Sequence, residues 1–166
     1  WFEGEVIDRA PVRFSAHNSF VCEKYSNRTW NSIKDKWLDV EFQVESFIKS
    51  IDGKRFLGET FPVYWPNLGP NVFAAFYGAG LEFDNVTSWA EPCVKNWEDI
   101  NCLRLNMESA YFKKIEELTQ YALERCEGKF MVGYTDLHPG VDCVAAWRDT
   151  ENLLMDLYDY PDEVKN

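Results

Sequence analysis

The chain holds 166 residues, 46% hydrophobic and 16% aromatic, which is enough apolar material for one sizeable domain core. Lysine and arginine total 17 against 28 aspartate and glutamate, a net charge of −11 at pH 7, so phosphate backbones and anionic membranes are repelled and neither is an expected partner. No apolar run approaches the roughly 18 residues of a membrane helix, and no signal-like start is present.

In chain order, Trp1 to Arg9 reads as a surface lead-in and Pro11 begins a new element. Val12–Ala16 predicts a short strand closing on His17, Asn18 and Ser19. Trp30, Ile33, Trp37, Val40, Val44, Phe47, Ile48 and Ile51 recur at helical spacing and predict one amphipathic helix of about six turns, stopped at Asp52-Gly53. That aromatic stripe reads as core packing. Phe61–Tyr64 predicts a second strand, ending in Trp65-Pro66-Asn67. A short apolar helix, Val72 to Tyr77, follows Gly69-Pro70 and halts at Gly78 and Gly80. Leu81 to Trp89 is β-rich but interrupted by Asp84-Asn85, which predicts a hairpin.

Asn106 is the expected cap of the next helix, whose core face is Tyr111, Ile115, Leu118, Ala122 and Cys126, with Gly128 ending it. Phe130, Met131, Val132 and Tyr134 then form the apolar run of a strand buried on both faces. The run turns polar at Thr135, Asp136 and His138, and Pro139-Gly140 opens a helix over Val141–Arg148. Thr150 is the expected cap of a further helix carrying Leu153, Leu154, Leu157 and Tyr158, with Pro161 ending or restarting it. Single strands separated by helices imply parallel pairing with right-handed crossovers, an α/β fold.

The five cysteines, at 22, 93, 102, 126 and 143, are odd in number and form no Cys-x-x-Cys pair, which points to reduced thiols and a cytoplasmic protein. Residue 1 is Trp, and the chain stops at Lys165-Asn166 inside what reads as a helix, so both ends read as cut.

His17, Asn18, Trp65, Asn67, Asp136 and His138 all fall at the C-terminal ends of predicted strands, where α/β enzymes place their chemistry. Asp136 and His138 are the candidate catalytic pair; His17, Asn18, Trp65 and Asn67 are candidate substrate contacts at the same mouth. Each has a structural alternative. Asp136 could cap the following helix and His138 bond a backbone carbonyl; His17 and Asn18 could cap the loop after the first strand; Trp65 could pack under a loop. Asp142 and Arg148 read as a first-turn acid and a helix-end base. Cys143 has no basic partner nearby in sequence, against an activated thiol.

The segment Tyr134-Thr135-Asp136-Leu137-His138-Pro139-Gly140-Val141-Asp142, followed by Ala145-Ala146-Trp147-Arg148-Asp149-Thr150-Glu151-Asn152-Leu153-Leu154-Met155-Asp156-Leu157, resembles the uroporphyrinogen decarboxylase superfamily. Asp8-Arg9-Ala10-Pro11-Val12 and Leu68-Gly69-Pro70 fit its N-terminal half. The resemblance implies the N-terminal part of a (β/α)₈ barrel, parallel strands with outer helices, since three principal strands cannot close a barrel needing about 250 residues. A small α/β sandwich is the alternative. The implied activity is decarboxylation or methyl transfer on a tetrapyrrole, a corrinoid or a methylated small molecule.

The sequence departs from both kinds of relative, and the first departure places it closer to the cobalamin-dependent methyltransferases than to the haem-pathway decarboxylase. That decarboxylase carries Arg-Gln-Ala-Gly-Arg after its first strand to hold substrate carboxylates, whereas this chain has Phe14-Ser15-Ala16-His17-Asn18-Ser19. Methyltransferase relatives carry a His-x-Cys and a later Cys for zinc, whereas His138 is followed by Cys143. No metal ligand is therefore expected in this stretch; zinc and a corrinoid belong to the C-terminal half of the relatives. A half barrel leaves an open edge, so a homo-oligomer or a missing C-terminal half is expected. The alternative function is a non-catalytic small-molecule binding module.

Overall fold

A computed structural model describes residues 4, 8–12, 14 and 28–165. Its helices and strands follow in the order α1 (Ile33–Leu38), α2 (Val40–Ile51), β1 (Val63–Tyr64), α3 (Val72–Phe76), β2 (Gly80–Phe83), β3 (Ser88–Glu91), a 3₁₀ helix (Trp97–Cys102), α4 (Ala110–Cys126), β4 (Met131–Val132), α5 (Val141–Arg148), α6 (Thr150–Asp159) and α7 (Pro161–Lys165). The class is mixed α/β, as expected. Among the described residues the strands form one parallel pair, β1 with β4, and one antiparallel hairpin, β2 with β3; they close no barrel. No helix among them is long and apolar enough to cross a membrane.

The expected single helix over Trp30–Ile51 is two helices, broken at Asp39. The Asp39 backbone is extended, at φ −79° and ψ 94°, and its Oδ1 accepts the Phe42 amide to cap α2. Trp30 Nε1 and Arg28 Nη1 donate to the same carboxylate at 3.0 Å, and Arg28 also pairs with Glu41. A short acid collecting this many local donors outcompetes the helical backbone bond at its position. Val44 and Phe42 on α2 turn inward, and α2 packs along α4, whose Leu118 and Ala122 are fully buried. Phe47 extends this core to the parallel pair. Its ring meets Tyr64 at 5.3 Å and Phe130 at 5.2 Å, edge to face in both cases.

That aromatic cluster sits beside the β1–β4 register, Val63 opposite Met131 and Tyr64 opposite Val132. Met131 N–H donates to Pro62 O and Gly133 N–H to Tyr64 O. Two of the three expected strands thus pair in parallel. Of the expected strand Val12–Ala16, Val12 and Phe14 are described. Val12 O accepts the Glu59 amide at 3.0 Å, and Phe14 N–H donates to Thr60 Oγ1 at 2.7 Å, beside a single bridge residue at Gly58. Arg13, Ser15 and Ala16 lie outside the described residues.

The hairpin forms as expected, its turn closed by Asp84 N–H donating to Thr87 O. Its burial alternates, with Ser88 and Ala90 inward and Trp89 and Glu91 outward. Two expected caps are corrected. Ser109, not Asn106, caps α4 by accepting the Phe112 amide; Asn106 instead folds the preceding turn, accepting the Glu108 amide. Asp149, not Thr150, caps α6 and also ends α5, with its backbone at φ 77°. One residue closing two helices must reverse the chain, and the Asp149 carboxylate reaching the Asn152 amide holds it there. The 3₁₀ helix was not anticipated; the Asn96 and Asp99 capping box starts it.

Candidate functional site

The chain leaves β4 through Thr135 and reaches α5 through Gly140, and this connection carries Asp136 and His138. Gly140 caps α5 with no side-chain bond, so Asp136 is not serving as its cap. Asp136 Oδ1 instead lies 2.6 Å from His138 Nε2. On the other side of the ring, Nδ1 donates to Asp142 Oδ2 at 3.2 Å. His138 is one helical turn before Asp142 in spacing, and α5 begins between them, so the first turn of the helix brings the acid back over the imidazole. The hydrogen bond to Asp142 and the charge of Asp136 raise the imidazole pKa above its ordinary value of 6.5. A raised pKa favours the protonated ring, the form in which both nitrogens can donate to a carboxylate.

His138 and Asp142 stand on the rim of an open cleft of about 450 Å³. One wall is Trp89 and Ala90 of β3, another is Ala145 and Ala146 of α5, and Asp149 and Thr150 close one end. Pro70 and Asn71, at the entry to α3, line it as well. Backbone and side-chain bonds fix these elements to one another. Asn71 Oδ1 accepts the Ala90 amide at 3.2 Å, and Trp147 Nε1 donates to Ala74 O at 3.1 Å, tying α5 to α3. Cys93 and Val94 amides both donate to Trp147 O, tying the chain after β3 to the end of α5. A cleft of this size, rigidly walled and partly apolar, is in the range of small-molecule sites.

The six residues expected to converge do so only in part. Asp136 and His138 are in direct contact. Trp65 is 46% exposed after β1 and is not among the residues lining the cleft. Asn67 also stands apart from it, its Oδ1 accepting the Gly69 amide at 2.7 Å to shape the turn before α3. His17 and Asn18 lie outside the described residues. Asp142, read from sequence as a helix-first-turn acid, is that and also the second partner of His138. Trp89, Asn71 and Asp149 were not singled out. The outward position of Trp89 in a four-residue strand and the i, i+4 spacing of His138 and Asp142 were the available signals.

Cys143 is buried in α5 and its thiol is pushed up to about 12, chiefly by burial, which removes it as a nucleophile at neutral pH. It and Cys93, Cys102 and Cys126 are free thiols. The zinc suggested by the methyltransferase relatives does not fit the residues present. Asp136 and Asp142 approach opposite nitrogens of His138 and share no point with the ring between them, and no described group of three such side chains could hold a metal ion. No protein-family model, curated protein or solved structure matches this chain.

Proposed function

We propose that this chain is the N-terminal part of an enzyme of the uroporphyrinogen decarboxylase kind, built on a (β/α)₈ barrel, that acts on a tetrapyrrole, a corrinoid or a methylated small molecule with His138 as general acid. The family reading rests on the resemblance, specific over residues 130–164, and is supported by the parallel β1–β4 pair with α4 packed against β4. The observation that carries the site is the His138 ring, held between two carboxylates on the rim of the cleft.

The two contacts differ in a way that assigns roles. Asp136 is close to Nε2 and partly shielded, and it acts as the fixed counter-charge that orients the ring. Asp142 sits farther from Nδ1 and its side chain is 68% exposed, so an incoming ligand exchanges with it more easily. Once Asp142 leaves, Nδ1–H faces the cleft and passes its proton to the substrate. In a decarboxylation that proton goes to the carbon whose bond to carbon dioxide breaks; in a methyl transfer it goes to the leaving heteroatom. The ring is left neutral with Nε2–H toward Asp136, which stays ionised. A positioned acid of this kind contributes about a hundredfold or more in rate.

The occupation of both ring nitrogens also favours a second reading, a binding module in which His138 only holds a ligand. Titration of uroporphyrin, cobalamin and tetramethylammonium, one probe from each substrate class, tests the site. His138→Gln is expected to weaken at least one of them about tenfold, close to 1.4 kcal/mol, with the melting temperature nearly unchanged. Unchanged affinity in that variant, or no binding of any probe to the wild type, overturns the assignment. Binding without turnover of the bound probe would return the site to the second reading.

A further inference from the structure

We infer that the cleft beside His138 takes a small organic cation, an ammonium or methylated ammonium group, with the indole of Trp89 as one wall and the carboxylates of Asp142 and Asp149 as counter-charge. The inference rests on the acid–base reading of this site and names its substrate class.

Charge supplies the first argument. Asp136, Asp142 and Asp149 place three carboxylates at or beside the cleft, and His138, even when protonated, offsets only one. The other lining residues are neutral, with no lysine or arginine among them. Arg148, next along α5, is committed elsewhere. Its guanidinium makes two bonds to Asp156, at 2.6 and 3.2 Å, and donates to the carbonyls of Val94 and Lys95. A carboxylate or phosphate entering here would find fixed negative charge and one cation already shared by two acids. A cation finds the reverse.

The second argument is independent of charge. β3 alternates strictly, and the alternation turns Trp89 away from the core, where it is 49% exposed and forms part of the cleft wall. An indole is the strongest aromatic partner for an organic cation, and it favours a methylated ammonium, whose greasy methyl shell suits an aromatic wall. Ala90, Ala145, Ala146, Pro70 and Pro92 continue that apolar lining. Among the substrate classes considered above, this combination selects the methylated small molecule and disfavours a polycarboxylate.

The test uses the whole chain and amide and indole NMR signals, titrated with tetramethylammonium, its neutral near-isostere tert-butanol, and propionate. Tetramethylammonium is expected to give saturable shifts at the Trp89 indole and at Ala145 and Asp149, with no saturable shift from the other two. Trp89→Leu changes an exposed side chain, and Asp149→Asn keeps a cap acceptor of the same shape on the same backbone. Each should weaken tetramethylammonium about fivefold or more while the remaining spectrum stays native. Propionate or tert-butanol binding as tightly, unchanged affinity in both variants, or the absence of any saturable shift at Trp89 overturns the inference. Propionate binding that also moves the His138 ring signals would overturn the cation and leave the acid–base reading of His138 standing.

Discussion

Arg148 and Asp156 form the most enclosed charged pair among the described residues: Asp156 is 3% exposed and the pair is bidentate. The remaining donors of Arg148 reach the carbonyls of Val94 and Lys95, so one side chain fastens the chain after β3 to α5 and α6. Removing the acid leaves the half-buried guanidinium without its counter-charge. Asp156→Asn is therefore expected to cost about 3 kcal/mol, read by urea unfolding, far more than an exposed pair such as Arg9–Glu59 would. His138 makes a different prediction, in pH. Its folded pKa lies above the ordinary 6.5, so the pairing with Asp142 and Asp136 stabilises the fold fully below that value and is lost as pH rises through the raised folded pKa. Melting temperature should fall through that window in the wild type, and His138→Gln should flatten the fall. An identical pH profile in the variant would remove His138 from the linkage.

Among the elements, the hairpin owes its placement to one close approach. Ser88 Oγ donates to Leu68 O at 2.5 Å, and Gly69, at φ +99°, lies so near that an added Cβ would stand 1.8 Å from that hydroxyl. Gly69→Ala then meets both a disfavoured backbone conformation and a clash, an expected loss of about 2 kcal/mol or more in a thermal melt. Adding Ser88→Ala should recover only part, since it removes the hydroxyl but leaves the residue-88 Cβ at 2.9 Å and the backbone conformation unchanged. Full recovery would show that the backbone conformation costs nothing. Much at this scale was legible beforehand. Spacing of Tyr111, Ile115, Leu118 and Ala122 found α4, and the Asp84-Asn85 interruption found the hairpin, because those signals are local. The break at Asp39 was not legible, because Arg28 and Trp30 donate to its carboxylate from nine to eleven residues away, outside the helical spacing that was read. The cleft was half legible: Asp136 and His138 lie together in sequence, whereas Trp89, Asn71 and Asp149 reach it from three separate elements.

For the whole molecule, the parallel pair raises the question of what covers it. Parallel strands are normally shielded on both faces, yet Met131 in β4 is 57% exposed and Tyr134 just beyond it 83%. Phe61 and Trp65, flanking β1, are exposed as well, so both strands of the pair carry large apolar side chains in water. Their local sequence pattern reads as buried strand. Apolar surface of this kind drives association of the chain with itself, while a net charge of −11 opposes it. The two forces respond differently to salt: screening over a Debye length of about 8 Å at physiological ionic strength weakens the repulsion and leaves apolar contact intact. Sedimentation velocity should therefore show association that strengthens with protein concentration and with added salt. Met131→Lys should shift the distribution toward monomer without lowering the melting temperature appreciably, since the side chain it replaces is already in solvent. A compact monomer at high concentration and high salt, or association indifferent to Met131→Lys, would mean that this face is not where the chains meet.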